Sequence, residues 1–281
     1  MYYVGLDVHL KTSTLCILNE NGRPVKRKTI RGRWDKVLKF FEQIDGPFAV
    51  AYEASCGYGY LHDQLSKIAA RVVVAHPGHL RLIFRCKRKS DRVDAAKLAK
   101  LLYLDEVPEV YVPSFDLRQW RGFIEHRQSA IAKRVRCKNN IRALLRNQGI
   151  QPPKSLWSRR GIAWLEQVAL GGALLAIQRD TLLDELALLD LQIKRVTSVL
   201  DRLAASHPGV AVLRTMPGVG PRTAEAMVAY VGDPSRFHRA RQAGAYFGLV
   251  PCQDASAGSN RLGHITKDGP STVRKLVVEA A

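Results

Sequence analysis

The sequence predicts a protein in three parts: a mixed α/β domain over residues 1–112, a long helical segment over 113–206, and a small, mostly α domain over 207–281. Three observations predict this. Short apolar runs separated by turn residues fill the first part and alternate with stretches of helical spacing. Almost no helix breaker interrupts residues 117–148, and leucines recur at three, four or seven residues between 172 and 206. His207, Pro208 and Gly209 then mark a boundary before a glycine-rich stretch.

Taken in order, "YYVGLDV" (residues 2–8) reads as a buried strand with an aspartate near its end. "TLCILNENG" reads as a second strand running into an Asn-Gly turn, and "PVKRKTI" as a third. Val37, Leu38, Phe41 and Ile44 are spaced for a helix. "PFAVAYEAS" gives a strand ending in Glu53, "GYLHDQLSKIAA" a helix, and "RVVVAHP" a continuous apolar strand. Three antiparallel strands followed by alternating helix and strand imply a sheet of mixed pairing. The helix over 117–148 carries Arg118, Arg121, Arg127, Lys133, Arg134, Arg136, Lys138, Arg142 and Arg146 against the single acid Glu125, and "NQGIQPPKS" ends it. Leu175, Leu182, Leu186, Leu189, Ile193, Val196 and Leu200 suit a second long helix packed antiparallel to the first.

The chain has 281 residues, of which 46% are hydrophobic, which excludes a disordered chain. Lysine and arginine number 44 against 25 acids, a net charge of +19 that calls for a polyanionic partner such as nucleic acid, with Arg85, Lys87, Arg88, Lys89, Arg118, Arg121, Arg127, Lys133, Arg134, Arg136, Lys138, Arg142, Arg222, Arg261 and Lys267 as its expected contacts. Cys16, Cys56, Cys86, Cys137 and Cys252 are scattered, with no zinc-ligand spacing, and fit a reducing cytoplasm. No apolar run approaches the ~18 residues of a membrane span, and the start "MYYVGLDVHLKTS" has no signal-peptide pattern. A cytoplasmic protein that acts away from membranes is expected.

Three constellations bear on chemistry. Asp7 and Glu53 end strands, and Asp91 and Asp94, at i and i+3, share a helix face. Two readings fit them: one or two Mg²⁺ ions held by the four carboxylates, or an Asp7 turn cap with Asp91 and Asp94 neutralising neighbouring cations, Arg85, Lys87, Arg88 and Lys89 among them. "MPGVGPRTA" (216–224) resembles a helix-hairpin-helix, whose Gly218 and Gly220 N–H groups, with Arg214 and Arg222 beside them, suit a phosphate; a plain interhelical turn also uses Pro and Gly. "GLVPCQDASAGSNRLGHITKDG" (248–269) sets Ser256 and Ser259 near Arg261, His264 and Lys267. On composition it is an ordinary flexible loop; with an activated hydroxyl it is a nucleophile beside phosphate-stabilising cations.

Together, "YVGLDVHLKTS", "AYEASCGYGYLHDQL", "KSDRVDAAKLAKLL", "RTMPGVGPRTAEAMVAYVGDPSRF", "RQAGAYFGLVPCQ" and "LGHITKDGPSTVRKLVVEAA" resemble, in order and along nearly the whole chain, the DEDD-type transposases of bacterial insertion sequences, relatives of pilin-gene invertases. The resemblance implies a ribonuclease-H-like (RuvC-like) domain, a coiled-coil connection and a small helical domain. It also implies a Mg²⁺ (or Mn²⁺) site of Asp7, Glu53, Asp91 and Asp94, and a serine nucleophile in the loop after "GLVP". Spacing from Pro251 to Lys267 puts Ser256 at that serine's position. Ser259 falls where relatives carry a basic residue, and Ala257 stands where a glycine often follows the serine. Relatives usually continue beyond residue 281. The resemblance further implies target and donor DNA as partners, a structured bridge RNA as guide in several members, a dimer or tetramer, and a bacterial, nucleoid-associated setting.

The expected function is an insertion-sequence transposase or site-specific recombinase in which Ser256 attacks a DNA phosphate with metal assistance. An invertase without guide RNA, a RuvC-like metal-dependent nuclease and a non-catalytic nucleic-acid-binding protein are the alternatives.

Overall fold

Side chains alternate across β1 (Tyr2–Val8), and that alternation organises the first part of the chain. Val4 and Leu6 enter one buried cluster, while Tyr3 packs into others on the opposite face. The computed structural model describes residues 1–55, 57–83, 90–256 and 259–281, with the backbone alone given for Ser256, Ser259 and Asn260. It divides into two units, Met1–Phe115 and Asp116–Ala281.

In the first unit β1 is the centre of a five-stranded sheet ordered β3-β2-β1-β4-β5. The other strands are β2 (Thr12–Leu18), β3 (Pro24–Arg31), β4 (Phe48–Glu53) and β5 (Arg71–Ala75). β1–β2 and β2–β3 are antiparallel, whereas β1–β4 and β4–β5 are parallel. The mixed pairing agrees with the sequence expectation and is compatible with a RuvC-like fold. At the expected Asn-Gly turn, the Gly22 N–H donates to the Asn19 carbonyl at 2.9 Å.

Helices α1 (Trp34–Phe41) and α2 (Tyr58–Leu65) cover one sheet face through Val37, Phe40, Phe41, Leu61 and Leu65. Each such buried side chain contributes roughly 1.5–3 kcal/mol. A short helix that the sequence reading missed, α3 (Pro77–Ile83), follows β5. The opposite sheet face receives α4 (Asp91–Tyr103), whose Leu98 and Leu102 meet Ala49 and Ala51 of β4, and whose Ala95 and Ala99 meet Cys16 and Leu18 of β2. Small residues make this seat. A Cβ on Gly5 would lie 2.1 Å from the Ala95 carbonyl oxygen and 2.3 Å from the Ala99 nitrogen, so only glycine admits the helix backbone there.

In the second unit, α5 (Phe115–Asn147) and α7 (Ala173–Ala205) fall within two residues of the helices expected. They run antiparallel: the Arg127 Nε donates to the Thr197 hydroxyl at 2.8 Å, Arg134 meets Asp190 at 3.1 Å, and the Cys137 thiol donates to the Leu182 carbonyl at 3.1 Å. Between them lies α6 (Arg159–Gln167), which was not expected; Ser158 caps it by accepting the Gly161 N–H at 3.2 Å. α8 (Pro208–Leu213), α9 (Pro221–Val231) and α10 (Ala240–Tyr246) follow. The stretch 248–269, read from composition as a flexible loop, contains an antiparallel hairpin of β6 (Pro251–Ser256) and β7 (Ser259–Ile265). α11 (Ser271–Ala280) comes last. Among the described residues, no helix is long and apolar enough to cross a membrane.

Candidate active site

Asp7 and Glu53 reach one end of the sheet because β1 and β4 are parallel neighbours with Leu6 opposite Tyr52. Leu6 and Tyr52 are both buried among the residues under α1 and α2. The next residue on each strand therefore points to the face that α4 covers. Ser90 opens α4 by accepting the Val93 N–H at 3.4 Å, which places Asp91 and Asp94 in the first helical turn. Carboxylates are favoured there by the positive end of the helix dipole.

Asp7, Glu53, Asp91 and Asp94 thus line a single cleft of about 410 Å³. Burial pushes the Asp7 carboxyl above the ordinary carboxylate value; Asp91, Asp94 and Glu53 push it further up, and His9 opposes the rise. His9, not singled out from the sequence, stands with its Nε2 3.4 Å from Asp7 Oδ2. Among the described residues, Asp7, His9 and Asp91 each offer a ligand atom, all within 4.8 Å of one another. Its place two residues after Asp7 was the available signal. Arg81, Lys97 and Ser55 also line the cleft. Four carboxylates that share one cleft and repel one another fit a hard divalent cation, which offsets the repulsion when bound.

The cations assigned to nucleic acid fall into several groups. Arg85, Lys87, Arg88 and Lys89 lie outside the described residues. Arg121 donates to the Ala229 and Tyr230 carbonyls at 2.8 and 2.9 Å, so its guanidinium ties α5 to α9. Arg127 and Arg134 are held by Thr197 and Asp190 of α7. Lys138 and Arg142 lie over the Trp157 ring, 4.8 and 5.5 Å from its centroid. Lys133 and Arg136 are exposed on α5, and Arg118 is half-buried. Arg261 and Lys267 are exposed, with Arg261 opposite Asp254 in the hairpin.

Arg222 donates to both oxygens of Glu225, at 2.9 and 3.0 Å, and also contacts Asp201. Glu225 is 1% exposed. Burial raises its pKa, while Arg222 and Arg127 act in the opposite direction. Glu225→Ala is expected to leave Arg222 and Arg127 facing each other without their shared anion and to destabilise the protein by about 3 kcal/mol, read as a lowered melting temperature.

Gly218, at φ +81°, lies where a Cβ would come 2.2 Å from the Ala280 carbonyl oxygen, whereas Gly220 opens into free space at the start of α9. The backbone of Ser256 ends β6 opposite Ser259 at the hairpin tip; their side chains lie outside the described atoms.

Comparison with known proteins gives the family. Residues 4–149 match the DEDD transposase domain of IS110-type elements, and residues 210–281 match the "Transposase IS116/IS110/IS902 family". The Sinorhizobium fredii protein y4pF/y4sB is 28% identical over 99% of this chain and 71% of its own length. The "Probable family 20 transposase" of Pseudomonas aeruginosa is 27% identical, over 99% of this chain and 82% of that protein. The "Transposase for insertion sequence element IS1111A" of Coxiella burnetii is 25% identical, over 99% and 76%. With half of its length matched by the DEDD domain alone, the chain belongs to the IS110/IS116 family of transposases, enzymes that cut and rejoin DNA.

Proposed function

We propose that this transposase cuts and rejoins DNA through Ser256, assisted by Mg²⁺ or Mn²⁺ held by Asp7, Glu53, Asp91 and Asp94. The observation that carries the reading is the convergence of those four carboxylates, from three separate chain segments, on one cleft. A divalent ion bound there supplies Lewis-acid stabilisation of charge on the phosphate and on the leaving oxygen. The Ser256 hydroxyl oxygen attacks phosphorus, a P–Oγ bond forms and the P–O3′ bond breaks. The serine proton is lost, the 3′ oxygen takes up a proton, and DNA is left as a 5′-phosphoserine adduct. Attack by a different 3′-hydroxyl reverses the step and conserves the phosphodiester.

The exposed Lys133 and Arg136, together with Lys138, Arg142, Arg118, Arg261, Lys267 and the 85–89 segment, hold nucleic-acid backbone in this reading. Arg121, Arg127, Arg134 and Arg222 contribute through the helices they fasten. The Gly218–Gly220 turn acts as a helix-hairpin-helix phosphate contact, chiefly at Gly220, where an added Cβ would meet no neighbour. The division 1–112, 113–206 and 207–281 corresponds to catalytic domain, coiled-coil joint and serine-bearing domain. A dimer or tetramer brings the serine of one copy to the carboxylates of another, in a bacterial, nucleoid-associated setting. A bridge RNA supplies sequence recognition by pairing, which suits a protein rich in backbone-binding cations.

Incubation with element-end DNA, followed by denaturing electrophoresis, tests the chemistry. The parent should give a protein–DNA adduct that a chelator abolishes, and Ser256→Ala should bind DNA without forming one. Cleavage without any adduct would assign the site to a water-using nuclease instead. Sequencing RNA that copurifies with the protein expressed from its own element tests the guide.

A further inference from the structure

The edge strand β3 carries a charge excess that the carboxylate cleft and the basic α5 leave unused. Residues 23–39 hold eight cations and one acid, Asp35. Lys26, Arg27, Lys28, Arg31, Arg33 and Lys36 are all exposed, and none is in an ion pair among the described residues. Lys26 and Lys28 are laid over the same Phe40 ring, 5.1 and 4.7 Å from its centroid, which holds two repelling ammonium groups on one side of the strand.

The register aims this strand at the active site. Asp7 pairs with Thr14, and Thr14 with Thr29, so Thr29 stands in the same row and on the same sheet face as Asp7. Two strand spacings put that row about 10 Å from Asp7. Arg27 and Arg31 flank Thr29 at i±2 and therefore share the face of Asp7. At this same end of the sheet, but on the face of α1 and α2, Trp34 stacks on Tyr60, with centroids 5.9 Å apart and planes 25° apart; Tyr60 is 50% exposed. Cations thus stand on both sides of this open edge strand, Arg27 and Arg31 towards Asp7 and Lys26 and Lys28 towards α1, and an exposed aromatic ring stands at its end on the α1 side; that suits a single nucleic-acid strand crossing the edge, with phosphates on the cations and an unstacked base on the ring. A duplex keeps its bases stacked and has no use for the ring.

We infer that β3 and the Trp34–Tyr60 stack form a track for a single-stranded segment of nucleic acid leading to the carboxylate cleft. As an approach to a catalytic centre this rests on the function proposed above; the binding itself does not. The competing role for these lysines and arginines is protection of an open sheet edge against pairing with other chains.

The test is fluorescence anisotropy with the full chain in chelator, so that binding is read without cleavage. The probes are labelled oligo(dT), oligo(U) and a DNA duplex of equal length. Arg27→Gln with Arg31→Gln should weaken single-strand binding and lower the log–log salt slope by about 1.4, at about 0.7 for each of two phosphates. Tyr60→Leu, at an exposed position, should weaken it about tenfold with the slope unchanged. Duplex binding should hold in both, and the tighter of oligo(dT) and oligo(U) identifies DNA or RNA as the occupant. Circular dichroism checks the fold; if the arginine pair does not fold, Tyr60→Leu decides alone. Parent-like single-strand binding in the variants, or an equal loss of duplex binding, overturns the track. Asp94→Asn reports separately on the cleft: strand cleavage that survives it sinks the metal site and leaves the binding result standing.

Discussion

Asp7→Asn is expected to lower DNA cleavage by at least about a thousandfold, the equivalent of several kcal/mol of lost charge stabilisation, and also to make the metal-free protein more stable. The two effects have one cause. Burial and the three neighbouring carboxylates hold the Asp7 carboxyl above its ordinary pKa, so its ionised form is strained in the fold. A raised folded-state pKa means that stability present below the ordinary carboxylate value of about 3.9 is lost as pH rises through the folded-state value. Asparagine removes that loss. It also removes the contact with His9, but His9 is more than half exposed and such a pair contributes less than about 1 kcal/mol. Relief of repulsion should win, raising the melting temperature in chelator by about 4 °C for roughly 1 kcal/mol. Excess Mg²⁺ should reverse the order, since it stabilises the parent and not the variant. A variant that melts below the parent in chelator would remove the repulsion argument.

Gly5→Ala should damage the site while leaving every carboxylate in place. The new methyl would sit 2.1 Å from a carbonyl oxygen and 2.3 Å from a backbone nitrogen of α4. Neither atom belongs to a flexible side chain, so the helix itself must move outward by about 1 Å, at about 1–3 kcal/mol of stability. Asp91 and Asp94 travel with it, away from Asp7 and Glu53. A misplacement of that size costs on the order of a hundredfold in rate. The expected result is a folded protein with a lowered melting temperature and cleavage reduced about a hundredfold, partly restored when Mg²⁺ is raised. Unchanged cleavage would show that α4 does not set the position of its two aspartates.

The sequence made the strands and long helices legible because their signals are local. "YYVGLDV" and "RVVVAHP" are apolar enough to be buried strands wherever they fall, and the Asn21-Gly22 turn fixes the first hairpin. That Asp7 and Glu53 each close an apolar strand is legible in the sequence; that the two strands are parallel neighbours is settled by the sheet. What escaped depends on packing. Gly5 looks like any strand glycine until a helix is laid across it. Arg121, Arg127 and Arg222 read as solvent-facing cations from their charge, yet carbonyls and hydroxyls 70 to 109 residues away claim two of them, and Asp201 the third. The β6–β7 hairpin was hidden because small polar residues in 248–269 suit a loop as well as an exposed strand. α3 and α6 are too short for their periodicity to stand out, and α6 depends on its Ser158 cap.

Because α4 follows the strands in the chain and supplies half of the acidic cluster, a nascent polypeptide emerging from the ribosome carries Asp7 and Glu53 well before their counterparts exist. The carboxylate cleft is complete only when that late helix settles onto the glycine and alanine floor beneath it. A fragment that ends before residue 91 therefore lacks half of the carboxylates that the proposed chemistry requires.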